Sequence, residues 1–279
     1  MLVPAAVFIG VIFLYPLARI VDVSLHSGAR GNEGPASLDN YRFVVDDPVF
    51  WQAVRHNLEL LLAVPVVTVL AVTIALLLNE GIRFWRTYRT LIFVPYVLSI
   101  PVLGASFLLL YGLHGVLNRI LEGVGLGVLA HDWFGNPQWV VPSIASMIVY
   151  HELGFGVVLL LARLLTLPPE PVDAARLDGA NWWRVQRFVV LPQLRSTIVT
   201  FVVLELITML SSVFAYVYST TKGGPNFASQ ILELYIFQNA FTFQSPALAA
   251  AVAVLLLIPT TAVILLWVWR RRVAELNLE

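Results

Sequence analysis

Two carboxylates stand where a carboxylate is costly. Glu152 and Glu205 lie inside apolar stretches at about 139–161 and 196–218, with His151 beside the first. An ionised side chain at the centre of a hydrocarbon layer costs about 3 kcal/mol on insertion scales, so it faces a polar cavity or a partner. Two readings follow. In one, both carboxylates line a solute path and accept hydrogen bonds from hydroxyl groups. In the other they clamp neighbouring helices, with Arg19, Arg163 or a companion chain opposite. His151 fits the second reading better, because consecutive helical residues point about 100° apart and cannot share one cavity equally. Tyr150, Phe155, Ser211, Ser212, Tyr216 and Asn239 add aromatic faces, hydroxyls and an amide, the groups that hold polar ligands. Small and hydroxyl residues also serve close helix packing in lipid.

Several chemistries are excluded. His151-Glu152 opens like a zinc-protease helix, but Phe155 occupies the place of the second histidine that H-E-x-x-H requires. No G-x-x-x-x-G-K-[ST] run is present to cradle nucleotide phosphates, and no G-x-S-x-G elbow. With no cysteine among 279 residues, disulfides, thiolate metal sites and thiol catalysis are out. We expect no enzyme, no bound metal and no cofactor.

The elements that hold these residues are membrane helices. Hydrophobic residues make up 59% of the chain and charged residues 12%, with a mean hydropathy of +0.82. That places the chain outside the soluble globular range. Apolar runs long enough to span appear at about 3–24, 58–79, 90–113, 139–161, 196–218 and 246–269. The first lacks the basic leader and cleavage site of a signal peptide, so it reads as a retained anchor. The chain starts almost inside it, so either Met1 is not the native start or the cytoplasmic tail is very short. Pro95 and Pro101 are expected to bend the third span. Gly28, Gly31, Gly34 and Pro35 mark a loop, and Asp47-Pro48 the start of a short interfacial helix. Another amphipathic helix is expected over 229–241. Net charge is zero, which gives no field for nucleic acid.

Charge distribution orients the spans. Eleven of the seventeen basic residues, at 83, 86, 89, 163, 176, 184, 187, 195, 270, 271 and 272, fall on the side that also carries both termini. By the positive-inside rule that side is the cytoplasm. The fold expected is one all-α transmembrane domain over 1–279, with six transmembrane helices and a polar loop at 164–195 between helices 4 and 5.

That loop carries the most specific signal. Glu170-Pro-Val-Asp-Ala-Ala-Arg-Leu-Asp-Gly179 reads as a short helix ended at Asp178-Gly179, and Asn181 caps a second helix that Pro192 is expected to end. Ala174, Ala175, Gly179 and Ala180 have little bulk, so a partner surface could approach closely, while Trp182, Val185, Phe188 and Val189 would anchor the second helix to its own domain. The run Asp173-Ala-Ala-Arg-Leu-Asp-Gly-Ala180, with Phe188 and Leu191-Pro192, closely resembles the cytoplasmic EAA loop of membrane subunits of bacterial ABC importers, in the sugar-permease group. Asp173 stands where that family usually has Glu, and Gly156 where an Asn often follows Gly-Phe. Leu38-Asp-Asn-Tyr41, Asp47-Pro-Val-Phe-Trp51, Asn57 and Thr221–Asn226 resemble the same group.

The resemblance implies a plasma-membrane permease for a carbohydrate or sugar-like solute. Asp173, Ala174, Ala175, Arg176, Asp178, Gly179 and Ala180 would form the coupling helix seated in an ATPase. It also implies two ATP-binding subunits holding ATP and Mg, a second permease that is usually a sister chain, and an extracytoplasmic solute-binding protein. A permease for polyamines, phosphate or peptides is the nearer alternative. A secondary transporter is the more distant one, since no matching pair of broken helices marks the two halves.

Overall fold

A computed structural model describes residues 3–26, 35–81 and 83–276, all of them helix, turn or loop. The glycine loop at Gly28, Gly31 and Gly34 lies outside the described residues. Five helical segments are long and apolar enough to cross a membrane: Pro48–Asn79, Ile100–Gly123, Val140–Leu164, Trp182–Ser211 and Pro246–Trp269. Helix α1, Val3–Leu25, is a further apolar helix of 23 residues. The described residues fall into two compact units, Glu59–Met209 and Met1–Leu58 with Leu210–Glu279.

In the Glu59–Met209 unit, α4 (Ala63–Asn79) and α5 (Trp85–Val97) pack on α8 (Val140–Leu164). Lipid tails are as apolar as leucine, so helices in a bilayer associate through close packing rather than burial from water. The contact faces are accordingly small. Ala71 and Ala75 of α4 are fully buried, and a Cβ added at Gly156 of α8 would lie 2.8 Å from the Ala71 Cβ and 2.5 Å from the Phe201 ring. One at Gly154 would lie 2.7 Å from the Ile92 carbonyl oxygen of α5. Val157, Leu160, Leu194 and Phe201 complete this core.

The third apolar run is broken rather than bent. Helix α5 stops at Val97, Leu98 and Ser99 are extended, and α6 runs Ile100–Tyr111 with Pro101 in its first turn. Pro101 lacks the N–H that would bond the Val97 carbonyl, so the α ladder of α5 cannot run through it, and it is tolerated in the first turn of a new helix. After α6 comes α7, Val116–Gly123.

In the other unit, α1 packs on α2 (Asp39–Asp46) and on α14 (Pro246–Leu276). Helix α3, Pro48–Leu60, starts where Asp47-Pro48 predicts. The Asp47 carboxylate accepts from the Val49 N–H at 2.8 Å. Only Leu61 and Leu62 separate it from α4, and the two helices together make up the Pro48–Asn79 segment. The 229–241 segment, which follows the short helix α12 (Phe214–Thr220), is helical over Leu232–Phe237 (α13) and π-helical over Gln238–Thr242.

Candidate functional site

The polar loop begins where α8 ends. Helix α9, Glu170–Leu177, has Pro171 in its first turn, Glu170 and Asp173 at its positive end and Arg176 at its negative end, which complements the helix dipole. Its stop is a Schellman motif: the Ala180 N–H donates to the Ala175 carbonyl and the Gly179 N–H to the Arg176 carbonyl. Gly179 takes φ +80° there, which explains the glycine, and open space surrounds the position of a Cβ. Asn181 then caps α10, Trp182–Val185, accepting from the Arg184 N–H at 3.0 Å.

Two expectations fail beyond this point. Pro192 does not end the helix. A π-helical turn over Gln186–Val190 joins α10 to α11, Leu191–Ser211, so that one helical rod runs from Trp182 to Ser211. The π turn bonds five residues back, as Leu191 N–H to Gln186 carbonyl, and the proline enters where the α ladder is already interrupted. The extra residue also shifts the buried face. Val185, Gln186 and Val190 are buried, whereas Phe188 is 70% exposed beneath the Arg187 guanidinium.

The loop's small residues divide in two. Val172, Ala175 and Ala180 pack against the chain's own core, so Ala175 and Ala180 do not face outward as the sequence reading has them. Asp173, Ala174, Arg176, Asp178 and Gly179 are exposed, and beside Ala174 the sequence reading missed Leu177, 89% exposed. The outer face of α9 is thus a small apolar spot rimmed by carboxylates. Glu80, at the end of α4, meets this loop through Arg176, Trp182 and Gln186.

The same unit holds both carboxylates of the apolar runs. Glu152 and Glu205 are both buried in this unit, and the Tyr96 ring of α5 lies 5.3 Å, centroid to centroid, from the His151 ring beside Glu152. Glu205 Oε2 is buried without a hydrogen-bond partner. His151 binds Glu152 Oε1 through Nδ1 at 3.1 Å and the Leu98 carbonyl through Nε2 at 3.4 Å. That carbonyl belongs to the α5–α6 break, so the broken helix provides an acceptor. His151 therefore positions Glu152. Phe155 stacks on Tyr96 with centroids 5.3 Å apart and touches Phe201. Tyr96 gave no sequence signal beyond its place in an apolar run.

The remaining candidates stand elsewhere. Tyr150 is half exposed against Phe107 of α6. In the other unit, Ser211 and Ser212 are exposed, Tyr216 is fully buried, and the Asn239 amide donates to the Tyr235 carbonyl at 2.9 Å. A cleft of about 540 Å³ between α8 and the α3–α4 junction is lined by residues such as Leu62, Val66, Val141 and Ser146, and by none of the candidate solute residues. Among the described residues no cluster of three His, Asp or Glu could hold a metal ion.

Apolar helices of spanning length, a buried polar cluster and an exposed loop helix joined by one glycine turn to a 30-residue rod define a polytopic membrane protein. Residues 58–273 match the model of the binding-protein-dependent transport system inner membrane component family, and the chain belongs to it. It is 31% identical to a sulfoquinovosyl glycerol transport system permease of Agrobacterium fabrum, over 92% of this chain and 84% of that one. It is 30% identical to a lactose transport system permease of Rhizobium radiobacter, over 86% and 82%. In fold it matches a chain of a bacterial alginate ABC transporter solved with an alginate-bound periplasmic protein, with TM-score 0.82 and 20% identity over 95% and 90% of the chains.

Proposed function

We propose that this chain is the permease subunit of an ATP-driven importer that carries a carbohydrate or sugar-like solute across the plasma membrane. The carrying observation is the loop: a glycine-stopped helix with an exposed outer face, joined to a continuous 30-residue helix through one turn. In this reading two ATP-binding subunits receive the outer face of α9 and hold ATP and Mg. A second permease, a sister chain, completes the path, and a solute-binding protein delivers cargo at the outer surface. Val3–Leu25 and the five longer segments make six spans with both termini in the cytoplasm. This chain binds no cofactor and catalyses nothing. Closure of the ATPase pair draws α9 inward, and rigid-body motion of the attached spans opens the path outward.

The sugar class is supported by the solutes named for the relatives and by the chemistry of the buried cluster. Glu152 and Glu205 offer acceptors for hydroxyls, and Tyr96 and Phe155 offer aromatic faces. Because the chain has no cysteine, Ala174→Cys creates a single reporter thiol. An impermeant maleimide should label it in inside-out vesicles alone, and a short bifunctional reagent should join it to the ATPase. Labelling from the outer face would overturn the reading.

A further inference from the structure

The carboxylate of Glu80 is placed against local physics. Glu80 caps the C-terminus of α4, where the helix dipole disfavours negative charge. Two hydrogen-bond donors and one cation compensate it. The Trp182 indole N–H and the Gln186 amide donate to Oε1 at 2.8 and 3.0 Å, and the Arg176 guanidinium lies 3.7 Å from Oε2. Arg176 belongs to α9, before the Gly179 turn, whereas Trp182 and Gln186 follow it, four residues apart on one helical face. A single side chain from the loop between two other spans therefore reaches both arms of the turn. Gln186 is itself buried, so its amide depends on that oxygen.

We propose that Glu80 is the positioning residue of the coupling loop: it sets the angle between α9 and the α10–α11 rod and ties both to the end of α4, so that α9 transmits force rather than swivelling about Gly179. This deepens the ATPase-coupling reading and rests on it. The carboxylate needs to touch neither solute nor nucleotide. It works by restricting the only position between α9 and the rod where the backbone turns back.

The test uses the full chain alone and the reconstituted transporter in proteoliposomes. In the chain alone, Glu80→Ala should raise hydrogen exchange of the 172–180 amides roughly tenfold, the low end for losing hydrogen bonds to a charged acceptor that is partly solvent-screened. Glu80→Gln retains one acceptor oxygen and should fall between Glu80→Ala and the native chain. In the transporter, Glu80→Ala should lower solute moved per ATP hydrolysed at least threefold while the ATPase still turns over, and Glu80→Gln should restore part of that ratio. A merely structural role would lower uptake and hydrolysis in proportion to folded protein and leave the ratio unchanged. Unchanged exchange in both variants overturns the clamp, and loosened exchange with an unchanged ratio overturns its part in coupling. If the native chain fails to engage the ATPase, the coupling reading itself falls, and the exchange arm still decides whether Glu80 holds the loop. Should Glu80→Ala fail to fold, Trp182→Phe removes one donor and must loosen the same amides, or the clamp is rejected.

Discussion

Gly156→Ala tests whether the helices of the Glu59–Met209 unit are held by backbone proximity. The added methyl would lie 2.5 Å from Phe201 Cζ and 2.8 Å from the Ala71 Cβ, against an ordinary carbon–carbon separation of about 3.5–4.0 Å. Either the Phe201 ring or the α4 backbone must give way by about 1 Å. Phe201 and Ala71 are both fully buried, so neither moves into free space. Overpacking of this kind costs about 1–3 kcal/mol, partly offset by about 0.5–1 kcal/mol from replacing a helical glycine with alanine. A net loss near 1.5 kcal/mol is expected, about a tenfold drop in the folded ratio. Unfolding in a detergent titration measures it. Gly123→Ala is the control, since nothing lies within 4 Å of its Cβ, and it should be neutral or slightly stabilising. Phe201→Leu in the Gly156→Ala background should recover part of the loss. Equal stability of Gly156→Ala and the native chain would refute close packing at this helix crossing.

Three further outcomes are expected. Gly179→Ala meets no steric obstacle, so its cost should be only the left-handed backbone penalty of about 1–2 kcal/mol, seen as faster exchange at the end of α9 with insertion unchanged. Glu233 of α13 is held above its ordinary value of 4.5, chiefly by burial and despite hydrogen bonds from Asn57 and the backbone. The folded chain thus binds this proton more tightly than the unfolded one. Its contribution is complete below pH 4.5 and is lost as pH rises through the raised value, so Glu233→Gln should stabilise the chain at pH 7–8 and flatten the pH dependence. Glu152→Gln replaces the carboxyl that His151 contacts while keeping an acceptor oxygen. If Glu152 lines the path, the substrate KM should rise at least threefold with the ATPase still coupled, and an unchanged KM would return Glu152 to a purely structural role.

What was legible in the sequence was whatever local chemistry decides. Asp47-Pro48 starts a helix because a carboxylate and a missing N–H both suit a helix N-terminus, and Asp178-Gly179 ends one because only glycine enters that cap at low cost. The apolar runs declare the lipid-facing helices because composition alone sets them. What stayed hidden depends on residues far apart. Pro192 read as a terminator since nothing nearby announces a π turn, and that same turn moved Phe188 from the buried face to the surface. The division of Ala174 from Ala175 follows from which side of α9 meets the core at Val172. Tyr96 and Glu80 act on residues 50 to 110 positions away, and no spacing rule reaches that far.

The unbroken rod from Trp182 to Ser211 has a mechanical consequence. Thirty residues extend about 45 Å, whereas the hydrocarbon layer is about 30 Å thick. Roughly ten residues, close to the stretch 182–191, must therefore project from the membrane as a handle. Tilting such a pushrod by about 10° swings its far end by about 8 Å, enough to move a whole side chain across a narrow passage. The π turn over Gln186–Val190 and Pro192 interrupt the α ladder at the base of that handle, so the stiff lever that such a tilt would carry is the shaft beyond them.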